Sequence, residues 1–140
     1  MPEISIQDAL NRLKTGEARL DAIEKQISLF VGLLNNVEAA KATLENLPKE
    51  EKRAMMPTAG AVYIPSKVSG FEKVLVEVGA GIAVEKDVKA ALVVMDSRLD
   101  QINSNINSLQ RAAGEMNVEI QVLRRKISEY VKKQQSGQVP

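Results

Sequence analysis

From Val88 to Tyr130 the sequence carries an unbroken seam of apolar and small residues. Val88, Leu92, Met95, Leu99, Ile102, Ile106, Leu109, Ala113, Met116, Ile120, Leu123, Ile127 and Tyr130 recur at spacings that alternate four and three. Six heptads with no proline predict one long helix that must bury this seam against another helix. At 1.5 Å per residue it runs roughly 65 Å, too far to be wrapped by a globular domain built from the remaining residues. It is expected to project.

A second seam lies at the start of the chain. Ile6 and Ala9, Leu13 and Gly16, Leu20 and Ile23, Ile27 and Phe30, Leu34 and Val37, then Lys41 and Leu44 repeat the three-four spacing. Ser5 followed by Asp8 predicts a helix N-cap with an acidic first turn, and Pro48 stops the helix at Leu47. Two seams of matched length, joined by about forty residues, are expected to pair as an antiparallel coiled-coil hairpin. In that register Gly16 and Gly114 fall at similar heights. Two readings are open for them, a soft point in the arm or an allowance for close packing. Asn103, Asn105 and Asn107 fall off the seam and are expected on a solvated face.

Between the helices the period changes to two. Lys49 to Arg53 is a charged stretch leading to Met55, Met56 and Pro57. Ala61–Ile64 and Lys67–Ser69 are short strand candidates parted by Pro65, which suits a sheet edge. Lys73–Val78 alternates, with Val74, Val76 and Val78 on one face and Lys73, Leu75 and Glu77 on the other. Gly79-Ala80-Gly81 is a turn, Ile82–Glu85 resumes the alternation with Ile82 and Val84 inward, and Asp87 caps the second helix. The expected organisation is one domain over 1–140, with helices at 5–47 and 87–133 and two β-hairpins at 58–86. Its fold class is α+β, a long coiled-coil hairpin with two central β-hairpins.

Two hairpins of four or five residues per strand are marginal in water and leave an apolar face that little else in the chain can cover. The second helix agrees, because Leu92, Val93, Val94 and Met95 are consecutive and therefore apolar around much of its circumference. Several chains are expected to pool their hairpins into a shared sheet or barrel. Val62, Ile64, Val74, Val76, Val78, Ile82, Val84, Val93 and Val94 are the candidate assembly residues.

Composition narrows the chemistry. The chain has no Cys and no His, which excludes disulfides, thiol catalysis, His-based triads and the usual zinc sites. Its carboxylates and lysines are spread along solvent-facing helical positions, so no catalytic residue, metal site or cofactor is expected. Gly79-Ala80-Gly81 lacks the GxxxxGK[ST] spacing of a phosphate loop and is expected to be a hairpin turn. The formal net charge is +1, which gives no general reason for a nucleic-acid or anionic-membrane partner. Charges interrupt every apolar stretch, so neither a signal peptide nor a membrane span is expected, and the protein is expected in the cytoplasm. Arg124, Arg125, Lys126, Lys132 and Lys133 form a local basic cluster, which either suits an anionic partner or sits favourably at a helix C-terminus.

At the ends of the coiled coil, Ile4, Ile6, Leu10 and Leu13 meet Ile127, Tyr130 and Val131. Pairing of two helices cannot hide all seven. They are the candidate residues for holding exposed apolar segments of other proteins. A structural scaffold or tether is the alternative, and a nucleic-acid arm using the basic cluster a third reading.

The whole chain resembles the prefoldin family, and specifically an archaeal-type alpha subunit. The resemblance rests on the order of heptad helix, two hairpins and heptad helix, and above all on Lys73-Val74-Leu75-Val76-Glu77-Val78-Gly79-Ala80-Gly81 followed by Ile82-Ala83-Val84-Glu85-Lys86. Family members often have a proline followed by Leu-Gly-Ala-Gly, where this chain has Pro57-Thr58-Ala59-Gly60-Ala61, which shifts the entry to the first strand. The resemblance implies a hexamer of two alpha and four beta subunits with a double β-barrel body and six coiled-coil tentacles. It also implies an ATP-independent holdase that grips non-native proteins at its tips and delivers them to a group II chaperonin.

Overall fold

The computed structural model describes residues 4–70 and 72–136. Its elements are α1 (Ile6–Glu45), β1 (Lys52–Pro57), a short 3-10 turn (Ala59–Ala61), β2 (Tyr63–Val68), β3 (Lys73–Gly79), β4 (Ile82–Asp87) and α2 (Val88–Gln135). Two long helices and two separate antiparallel hairpins, β1-β2 and β3-β4, make an α+β fold. The packing divides into two units, Met1–Leu33 with Ile102–Pro140 and Leu34–Gln101.

The burial of α1 follows its sequence spacing. All twelve seam residues from Ile6 to Leu44 are buried or half-buried, and every other residue of the helix is exposed. Ser5 caps the helix, its Oγ accepting a hydrogen bond from the Asp8 backbone N–H at 3.1 Å. At the other end the Asn46 side-chain amide donates to the Ala42 carbonyl at 2.8 Å. The helix therefore closes at Glu45, ahead of the Leu47 limit set by Pro48. Asp87 caps α2, its Oδ1 accepting from the Ala90 N–H at 2.7 Å. Asn103, Asn105 and Asn107 are exposed, as their off-seam positions require.

In the first unit the two helices run antiparallel. Glu17 Oε1 accepts a hydrogen bond from Arg124 at 2.8 Å across the pair. Gly16 is buried, and a Cβ there would lie 3.3 Å from both Ile120 Cγ1 and Met116 Sδ. Gly114 faces open space. Close packing is therefore the role of Gly16, and Gly114 has no counterpart role.

In the second unit the core is a cluster of Val76, Ala91 and Met95, with Val37, Leu44, Val74 and Val94 packed against it. Arg98 donates a hydrogen bond to the Glu77 backbone carbonyl. Lys41 holds a seam position and pairs with Asp96 at 2.8 Å. The hydrogen bond to that carboxylate, and then its charge, raise the Lys41 pKa above the ordinary 10.5.

The first hairpin differs from the sequence expectation. β1 is the stretch Lys52–Pro57, upstream of the expected start at residue 58, and the two candidate strands on either side of Pro65 are one strand, β2. The Thr58 N–H donates to the Val62 carbonyl at 2.8 Å, which fixes the alternation of the ladder. Counting back from that bond, Pro57↔Tyr63 and Met55↔Pro65 are non-hydrogen-bonded pairs. Neither proline needs an N–H in the ladder, so neither breaks it.

The second hairpin turns through Ala80 and Gly81, both at positive φ (52° and 75°), as a tight two-residue hairpin requires. Its register shifts between Glu77 and Gly79, leaving Val78 as a bulge residue without a cross-strand partner. Val78 is thus exposed and does not continue the buried face of Val74 and Val76. Ile82 and Val84, expected inward, are exposed too, because the cluster on α2 reaches only β3.

Candidate functional site

Among the described residues, two of the surfaces that present apolar side chains to solvent hold residues singled out by the sequence. The first lies where α1 begins and α2 ends. Ile4, Ile6 and Ala9 on one side, and Lys126, Glu129, Tyr130 and Lys133 on the other, line an open pocket of about 260 Å³. The α2 residues are spaced three, one and three apart, which puts them on one helical face. Ala9 forms a buried floor, Ile4 and Ile6 are half-buried, and Tyr130 is 44% exposed. Of the other tip residues singled out by sequence, Leu10 and Val131 are exposed but do not line the pocket. Leu13 and Ile127 are half-buried seam residues outside it. The pocket thus gathers three of the seven.

The second surface is the pair of hairpins. Every residue of β1 is exposed, and so is every residue of β2 except Ser66. Val62, Ile64, Val78, Ile82, Val84 and Val93 are exposed, Val93 at 68%. Among the described residues no group of three or more acidic, His or Cys side chains is arranged to hold a metal ion. No described helix is long and apolar enough to cross a membrane.

A family model described as "Prefoldin subunit" matches residues 13–133. The chain belongs to the prefoldin family. It is similar to prefoldin subunit alpha of Nitrosopumilus maritimus, 23% identical over 142 residues that span 100% of this chain and 98% of the relative. It is also similar to the probable prefoldin subunit 5 of Dictyostelium discoideum, 29% identical over 127 residues, spanning 87% of this chain and 78% of the relative. A cryo-EM structure of filamentous PFD from Methanocaldococcus jannaschii has the same fold, with a TM-score of 0.71 and 21% identity over 83% of this chain and 98% of that one. The prefoldin resemblance read from the Lys73–Lys86 segment is borne out, as is the alpha-type likeness.

Within this prefoldin fold the candidate assembly residues divide. Val76, at 6% exposure, is taken up by the chain's own cluster with Ala91 and Met95, and Val74 and Val94 are packed against the same cluster. Those three pack the second hairpin against its own helix. Sequence reasoning missed Met55, Met56, Tyr63 and Leu75, all more than half exposed. Met55 and Met56 follow the charged stretch Lys49 to Arg53 and were not read as part of a strand, although Pro57 and Pro65 are compatible with edge strands. Leu75 sits on the face shared with Lys73 and Glu77, and its 73% exposure makes that face apolar at its centre.

Proposed function

We propose that this prefoldin-family chain is the alpha-type subunit of an ATP-independent holdase in the cytoplasm. It captures non-native proteins at the ends of its coiled coil and passes them to a group II chaperonin. The assembly is a hexamer of two alpha and four beta subunits, joined through β-hairpins pooled into a barrel. The observation that carries this reading is the open pocket at Ile4, Ile6 and Tyr130, with Leu10 and Val131 exposed in the same turns. An opening at a helix-pair end with apolar side chains on one wall holds apolar segments without demanding a sequence. Each contact is weak, and several such ends around one client raise avidity through effective concentration, so release needs no nucleotide. The exposed hairpin faces of Met55, Met56, Val62, Tyr63 and Ile64 support assembly, since two strands alone are marginal in water.

The test is light scattering from a thermally unfolding protein, without nucleotide, in the presence of the chain assembled with a beta-type partner. Ile4→Ser, Ile6→Ser and Tyr130→Ser together are expected to abolish suppression of aggregation while the oligomeric mass stays unchanged. Equal suppression by the variant would remove the ends as the capture site. No suppression by the intact oligomer would favour a scaffold that joins fixed partners.

A further inference from the structure

In the first unit α2 carries a second stripe, on the face turned away from α1. Met116, Ile120, Leu123 and Ile127 are buried or half-buried, Met116 and Ile120 against Gly16 of α1. The opposite face holds Arg111, Glu115, Val118, Val122, Arg125 and Glu129, all of them exposed. Their spacing of four, three, four, three and four keeps them in one line, about 27 Å long. Val118 and Val122 stand at its middle at 62% and 43% exposure, and β-branched residues are poor choices for a solvated helix position. The four charges do not serve the helix itself. Each arginine precedes its glutamate by four residues, the weaker order for such a pair, and no ion pair among the described residues uses any of them.

Read from its two ends, the stripe is the same pattern with the charges exchanged. Counting outward from Ile120, Val118 answers Val122, Glu115 answers Arg125 and Arg111 answers Glu129. We propose that this face docks antiparallel on the same face of a second copy of the chain, about a two-fold axis level with Ile120. A two-fold interface needs a self-complementary patch, and this stripe is one. Val118 of each copy packs on Val122 of the other, and two arginine–glutamate layers close the contact on either side. Parallel pairing in register sets Arg on Arg and Glu on Glu, so charge fixes the direction. Ser108 and Lys132 continue the spacing beyond the two ends and form no such pair, which bounds the stripe. The contact is weak and reversible, because only two valines per copy lie at its centre. Glu119 also approaches its own copy beside the axis, offset in part by Lys126 on the same side. The pairing joins the arms of separate subunits back to back and uses neither the hairpins nor Ile4, Ile6 and Tyr130, so it stands apart from client capture.

The experiment is sedimentation of the full-length chain between about 20 µM and 1 mM, the range in which a small interface is expected to associate. Arg111→Glu with Arg125→Glu makes the stripe wholly acidic, and Glu115→Arg with Glu129→Arg makes it wholly basic. Each variant alone is expected to weaken self-association about tenfold or more, and an equal mixture of the two is expected to restore it, the differences shrinking at high salt. Association through the hairpins is common to every sample, so the difference reports the stripe. The chain has no Cys, so a nitroxide on Ser108→Cys gives a single label per copy. Dipolar spectroscopy is expected to place the two labels about 36 Å apart in the antiparallel pair, against less than about 20 Å in a parallel one, and to lose that distance in the acidic variant. Val118→Ser with Val122→Ser is expected to weaken association without changing any charge. Unchanged association in both charge variants, or a mixture no stronger than its components, would overturn the interface. The short distance would overturn its direction. Pairing of the stripe seen only after a beta-type partner is added would assign the face to that partner and overturn the proposal.

Discussion

The two hairpins are of similar length and lie in the same unit, yet their fates differ. β3 turns Val74 and Val76 onto Val94, Ala91 and Met95 of α2, and Arg98 reaches the Glu77 carbonyl beside the bulge. β1 and β2 have no such partner, and their large apolar residues, Met55, Met56, Tyr63 and Ile64 among them, all face solvent. The difference comes from the helix as much as from the strands. Ala91, fully buried at 0% exposure, is small enough to let a strand lie close to α2. One hairpin is thus anchored by its own chain, and among the described residues the apolar side chains of the other are left open to solvent.

That contrast can be broken at the anchored hairpin with the largest effect. Met95→Ala removes the side chain under β3 and is expected to lower the stability of the isolated chain by about 2–4 kcal/mol, read by denaturant unfolding. A loss no greater than that of an exposed substitution would mean that the cluster does not anchor the hairpin. Arg98→Ala removes the tether to the Glu77 carbonyl and is expected to lower stability by about 1–2 kcal/mol, with Lys at the same position restoring only part of it. Hydrogen exchange at the β3 and β4 amides would rise with it.

The free hairpin sharpens the comparison by its silence. Ile64→Ser is expected to change the unfolding free energy of the isolated chain by less than about 0.5 kcal/mol. The same variant is expected to shift the mass of the assembled oligomer, measured by sedimentation, toward the single subunit. A variant that destabilises the chain alone as much as Met95→Ala would show that β2 is anchored after all. The smallest effect concerns Lys41 and Asp96. Because the Lys41 pKa is raised on folding, its contribution is fully present below the ordinary lysine value of 10.5 and fades as the pH rises through the higher folded value. Lys41→Met is expected to lower the melting temperature slightly at neutral pH and to remove its fall above that pH, so that the two proteins converge in alkali, measured as melting temperature against pH.

Much of the helical structure was legible because heptad spacing and burial are the same fact seen twice. A residue at three-four spacing has one face to hide on, and all of the α1 seam, even Gly16 and Lys41, is buried or half-buried. Both N-caps, Ser5 and Asp87, were legible for a similarly local reason, since each side chain bonds within its own first turn. β1 was not legible. Its residues Lys52, Arg53, Met55 and Met56 show no alternation, because no face of that strand is buried within this chain. Where a strand buries neither face against its own chain, period-two patterning has nothing local to report.

The candidate site divides in the same way. That the coiled-coil ends carry more apolar side chains than a helix pair can hide follows from spacing alone. Which of them surround one opening depends on where the partner helix stands, and it is Ile4, Ile6 and Tyr130 that share a pocket with two lysines, while Leu13 and Ile127 lie outside it. The alternation of Lys73 to Val78 placed three valines on one face. The bulge at Val78 withdrew one of them, and packing against Ala91 and Met95 took Val76 into the chain's own cluster. Periodicity fixes the face on which a residue sits, because it depends on backbone geometry over a few residues. Whether that face meets a helix of its own chain or solvent depends on residues far away in sequence, and no local pattern encodes it.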